Sequence, residues 1–174
     1  ASIASSTPIF HSCCNIFLVM PLANVGPAAM LAAIRTQRPA ITYLAYPNNP
    51  TANLWDAAVM ERIIAAAGEV GSIVVIDEAY QPFSSRTYME VLRAQPQQNA
   101  HVLLMRTMSK FGLAGVRIGY MVGAKALIDE VNKVRPPYNI SVLNYECALF
   151  ALERAEVFAA QALEIRAQSA MLFE

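Results

Sequence analysis

The chain has 174 residues, with 13 Lys+Arg against 13 Asp+Glu, so its formal net charge is zero. That length suits one domain with a substantial core, and the charge balance excludes a general nucleic-acid or acidic-membrane binder, which needs a basic excess against phosphate. With 56% apolar and 15% charged residues, disorder over most of the chain is excluded too.

No Lys, Arg, Asp or Glu precedes Arg35. Residues 16–23 (IFLVMPLA) are apolar, but no basic segment leads them and Pro21 interrupts the run. They read as a strand and loop rather than a signal peptide, and residues 1–26 as a whole carry no recognisable motif. No stretch reaches the roughly eighteen apolar residues of a membrane-spanning helix. Residues 27–37 predict a helix, with Pro27 in its first turn and Met30, Leu31 and Ile34 at helical spacing. Residues 41–46 (ITYLAY) predict a strand, stopped by Pro47-Asn48-Asn49-Pro50. Residues 55–67 predict a helix with Val59, Ile63 and Ile64 on one face, and residues 72–76 (SIVVI) a strand covered on both sides. A helix from Arg86 to Gln95, strands at 101–105 and 117–122, and helices at 124–135, 141–153 and 155–172 complete the pattern. Alternation of this kind gives an α/β domain with a mostly parallel sheet flanked by helices. The last helix runs to Glu174 without a stop signal and the chain opens on Ala1, so both ends read as cut.

Three cysteines, Cys13, Cys14 and Cys147, make no disulfide framework, and no CxxC pair or histidine cluster suggests a metal site. This usage fits a reducing cytoplasm. In α/β sheets, ligands sit beyond the carboxyl ends of the strands. Here those ends carry Asn49, then Asp77 and Tyr80, then Thr107, Ser109 and Lys110, with Arg117 opening the last strand. Singly, Asp77 reads as a cap, Asn49 as a turn residue, Lys110 as surface and Arg117 as an ion-pair partner. As an ordered set they suit pyridoxal phosphate. A lysine forms a Schiff base with its aldehyde. A carboxylate keeps its ring nitrogen protonated, so the ring acts as an electron sink. An arginine with neighbouring hydroxyls grips its phosphate, and amide and phenol donors hold its phenolic oxygen. Glu78 is expected to point away from Asp77, to the opposite side of the strand end.

The segments PNNPT (47–51), VIDEAYQPF (75–83) and RTMSKFGLAGVRIGY (106–120) resemble signatures of the fold-type I pyridoxal-phosphate aminotransferases, and most closely the histidinol-phosphate aminotransferase group. The resemblance implies that residues 27–174 are part of the large cofactor-binding domain. It implies Lys110 as the Schiff-base lysine and proton shuttle, and Asp77 as the partner of the pyridine nitrogen. It further implies Tyr80 and Asn49 at the phenolic oxygen, and Ser109, Arg117 and Thr107 at the phosphate. The implied reaction is transamination of histidinol phosphate with 2-oxoglutarate, in a cytoplasmic homodimer. A threonine-phosphate decarboxylase-like or aromatic aminotransferase, or a non-catalytic cofactor-binding chain, are the alternatives. The asparagine motif departs from the family pattern at Ala52, where glycine is usual; a positive φ there costs an alanine about 1 kcal/mol. Apolar surfaces meant for a partner subunit predict self-association of the isolated chain, visible by light scattering; a monodisperse monomer at high concentration contradicts this.

Overall fold

A computed structural model describes residues 17–19 and 26–172. Its five strands lie in sequence order: β1 (Phe17–Val19), β2 (Ile41–Ala45), β3 (Ile73–Asp77), β4 (Val102–Thr107) and β5 (Gly119–Gly123). The first four pair in parallel, and β5 runs antiparallel to β4. The remainder of the apolar segment before residue 26 lies outside the described residues.

Helix α1 (Pro27–Gln37) starts on its proline and ends at Arg38, whose φ of 46° turns the chain out of the helix. Helix α2 (Ala57–Glu69) begins two residues later than its periodicity predicts, because Asp56 caps it: one carboxylate oxygen accepts the Ala58 and Val59 N–H groups at 3.0 and 3.2 Å. Both helices join one core with the sheet. Their Met30, Ile34, Met60 and Ile63 meet Leu44, Ile76 and Leu104, three residues that stand in one cross-strand row. Strand side chains alternate between faces, so Tyr43, Val75 and Asp77 belong to the other face.

The third helix, α3 (Met89–Ala94), is shorter than the expected Arg86-to-Gln95 span. Thr87 and the Tyr88 N–H are instead bonded to the buried carboxylate of Glu78. The Tyr88 ring is buried in the core, and its hydroxyl donates to Asn99 Oδ1 at 2.8 Å. Burial first, and the charge of Glu61 second, push its pKa up to about 12. The folded state therefore keeps a proton that the unfolded chain releases from pH 10 upward. Stability from this group is full below pH 10 and is lost as pH rises toward 12, by about 1–3 kcal/mol. Urea unfolding at pH 9 and pH 12 measures the loss; in Tyr88→Phe this part of it disappears.

Helices α4 (Lys125–Val134), α5 (Val142–Leu152) and α6 (Ala155–Met171) follow the sheet. Val142, Leu143, Phe150 and Leu152 of α5 are exposed, as is Leu163 of α6. Among the described residues, no helix is long and apolar enough to cross a membrane.

Candidate active site

The sheet brings the candidate residues to one edge. The chain leaves β2, β3 and β4 there, and enters β5 there, because β5 is antiparallel and Thr107 pairs with Gly119. Arg117 thus lies at the carboxyl edge although it precedes its strand.

Asn49 stands in a loop that is tied to itself. Asn48 N–H donates to the Asn53 carbonyl at 3.0 Å, and Ala52 N–H to the Asn48 carbonyl at 2.9 Å. Ala52 has φ 56°, the left-handed conformation in which the family's usual glycine costs nothing. From this loop Asn49 Nδ2 reaches the Tyr80 hydroxyl at 3.4 Å. Tyr80 caps a 3-10 turn (Gln81–Phe83), and Lys110 Nζ lies 4.9 Å from the centre of its ring. Asn49, Tyr80 and Lys110 therefore meet, although they come from three different loops.

Lys110 occupies a second 3-10 turn (Ser109–Phe111) closed by Gly112. Gly112 has φ 102°, and a Cβ there would come within 2.8 Å of the Phe158 ring of α6. Phe158 also stacks on Phe111, with ring centres 4.9 Å apart. Gly112→Ala is therefore expected to lose at least about 1–2 kcal/mol of stability in urea unfolding and to disturb the Lys110 turn. Unchanged stability would contradict this packing.

Thr107 and Ser109 share a hydroxyl pair at 3.0 Å, and Thr107 Oγ1 accepts the Ser109 N–H at 3.1 Å. Arg117 is exposed, with φ 51°, and its guanidinium donates to the Ala114 carbonyl at 3.4 Å. Its other N–H groups can take an anion. Asp77 ends β3. Its Oδ1 accepts the Ala79 N–H at 2.9 Å, and its Oδ2 accepts the Tyr43 hydroxyl at 2.5 Å. The sequence offers no signal for Tyr43, which reads as an ordinary strand residue.

Glu78 turns the other way, as expected. Its side chain is buried and accepts Arg106 Nε and Nη2 at 3.0 and 2.8 Å. Burial acts to lower the Arg106 pKa, but the bond from Glu78 outweighs it with further help, and the net direction is upward. The pair joins the ends of β3 and β4 just behind Asp77 and Thr107.

Two cavities open at this edge. One of about 500 Å³ is lined by Asn49, Tyr80, Phe83 and Arg166, the last on α6. The other, of about 510 Å³, is lined by Asp77, Ala79, Arg106, Thr107 and Tyr120. The candidate residues are thus divided between two hollows, and Lys110, Ser109 and Arg117 line neither. The donor set nonetheless matches pyridoxal phosphate in kind: an amine beside a phenol and an amide, a fixed carboxylate, and hydroxyls near a guanidinium with N–H groups to spare.

Residues 19–172 match the family described as aminotransferase class I and II. The chain belongs to that family. It is 69% identical over 154 residues to a histidinol-phosphate aminotransferase of Acidovorax sp. (strain JS42), covering 87% of this chain and 42% of that protein. It is 70% identical over 153 residues to one from Polaromonas naphthalenivorans (strain CJ2), covering 88% of this chain and 41% of the relative. The chain therefore spans about two fifths of the length of these curated relatives. Among solved structures, it resembles the histidinol-phosphate aminotransferase of Sinorhizobium meliloti in complex with pyridoxal-5'-phosphate, with a TM-score of 0.68 and 28% identity over 80% of this chain and 38% of that one. The α/β architecture read from the sequence is the architecture of these aminotransferases.

Proposed function

We propose that this chain carries the cofactor-binding core of a pyridoxal-phosphate-dependent aminotransferase acting on histidinol phosphate, with 2-oxoglutarate as amino acceptor, in histidine biosynthesis. The observation that carries this reading is the meeting of Asn49, Tyr80 and Lys110 at the sheet edge where Asp77 ends β3. The names of relatives at 69% and 70% identity support the substrate. When bound, the cofactor supplies an electron sink that acidifies the α-carbon of an amino substrate.

The residues divide the work. Lys110 Nζ would hold the cofactor through its aldehyde and, as a free amine, would be the base that accepts the substrate's α-proton. Asp77 would hold the ring nitrogen in its protonated form. Tyr80 and Asn49 would orient the phenolic oxygen. Ser109, Thr107 and Arg117 would hold the phosphate, with Arg117 as its fixed positive charge. The exposed apolar residues of α5 and α6 support a homodimer, and the composition supports a cytoplasmic enzyme.

The division of the candidate residues between two cavities favours one second reading, cofactor binding without turnover. Glutamate formation from 2-oxoglutarate, measured with the purified chain, cofactor and histidinol phosphate, separates them. Turnover that needs histidinol phosphate supports the first reading. Saturable cofactor uptake without glutamate supports the second, and a higher kcat/KM on another amino donor overturns the substrate.

A further inference from the structure

We propose that Tyr43 is a positioning residue that holds the Asp77 carboxylate toward the cofactor's ring nitrogen, an inference that rests on the cofactor reading above. Tyr43 stands opposite Val75 in the β2–β3 register, and Asp77 is two residues further along β3 on the same face. With parallel strands roughly 4.8 Å apart and a two-residue rise of roughly 6.6 Å, the two positions lie roughly 8 Å apart, within reach of a long aromatic side chain. The phenol spans that gap and donates to Asp77 Oδ2 at 2.5 Å, while the Ala79 N–H holds Oδ1 at 2.9 Å. Each carboxylate oxygen thus has one fixed donor, and the group cannot turn about its own axis without losing one of them. Each oxygen also keeps acceptor capacity for a ligand.

The proton stays on the phenol. Burial first, then the bond to Asp77 and its negative charge, raise the Tyr43 pKa above the usual tyrosine value. The result is a carboxylate held at both oxygens, with acceptor capacity left for a protonated ring nitrogen. Arg106 lines the cavity beside Asp77, but its guanidinium is bonded to Glu78 and Thr87. The hydroxyl is not needed to join the two strands, since five backbone pairs already do so.

The test compares the wild-type chain with Tyr43→Phe, Asp77→Asn and the double variant; Tyr43→Phe keeps the ring and its packing. In the cofactor-free chain, NMR of tyrosine labelled at Cζ should show Tyr43 titrating closer to the ordinary tyrosine range in Asp77→Asn. No change means the contact does not form and overturns the proposal. With pyridoxal phosphate, Tyr43→Phe should weaken cofactor binding about 5–10-fold in the wild-type background and less than about twofold in Asp77→Asn, where there is no anion left to hold. Equal losses in both backgrounds, or none in the wild type, overturn it. A chain in which Tyr43 responds to Asp77 but which binds no cofactor overturns the cofactor reading, and the positioning role with it, while leaving the contact established.

Discussion

Lys110→Ala is expected to abolish covalent retention of pyridoxal phosphate and to lower any transamination by at least about 10²–10⁴-fold, the range that proton transfer by a placed base contributes alone. The fold should survive. Lys110 Nζ lies over the Tyr80 ring at 4.9 Å, a contact worth about 0.5–1 kcal/mol at an accessible site. The chain has two other lysines, Lys125 and Lys133, and they serve as internal controls. Both are exposed on α4, where they pair with Asp129 and Glu130. Lys125→Ala and Lys133→Ala should leave retention unchanged. Absorbance of the chain after gel filtration with cofactor reads all three variants, and retention by Lys110→Ala contradicts the assignment.

Glu78→Ala should be the most destabilising single change at this edge, costing about 3–5 kcal/mol. Its side chain is wholly buried, and the Arg106 side chain it pairs with is 20% exposed. Removing the carboxylate leaves the half-buried Arg106 without its ion-pair partner and also frees Thr87 and the Tyr88 N–H. Domains have only about 5–15 kcal/mol of net stability, so the loss is a large share of the whole. Glu78→Gln, which keeps an acceptor but loses the charge, should fall between wild type and alanine. Urea unfolding checks both, and a loss under about 1 kcal/mol for Glu78→Ala would contradict the clamp. The same pair fixes the strand ends that carry Asp77 and Thr107, so cofactor affinity should weaken with stability.

The sequence makes the helices and most strands legible because their signals are local. Pro27 and the spacing of Met30 and Ile34 place α1 at residues 27–37, where it is found. Asp56 shows why α2 starts late: its side chain caps the helix, and the capping residue itself stays outside. Helix α3 is shortened by a partner ten residues away, since the Tyr88 N–H bonds to Glu78. The direction of β5 is not written in its own residues. It follows from pairing with β4, and it alone brings Arg117 to the edge shared with Ser109.

The candidate site was legible for a related reason. Each motif is a short loop at a strand end, so PNNPT, the Asp77–Tyr80 run and the Thr107–Lys110 run each keep their residues together in sequence. Their division between two cavities was not legible, because it depends on α6 lying against the 3-10 turn at Gln81–Phe83. Tyr43 was missed because its one informative contact spans 34 residues and crosses from β2 to β3. A tyrosine in a strand is otherwise what a half-buried pleated surface favours.

We propose that this sheet edge assembles a pyridoxal-phosphate site around Lys110. Mixing the purified chain with the cofactor, reducing with borohydride and mapping the modified lysine by peptide mass tests this. Label confined to Lys110 is the predicted result. Label spread over Lys110, Lys125 and Lys133, or no label at all, would show that the edge does not select its lysine and would contradict the claim.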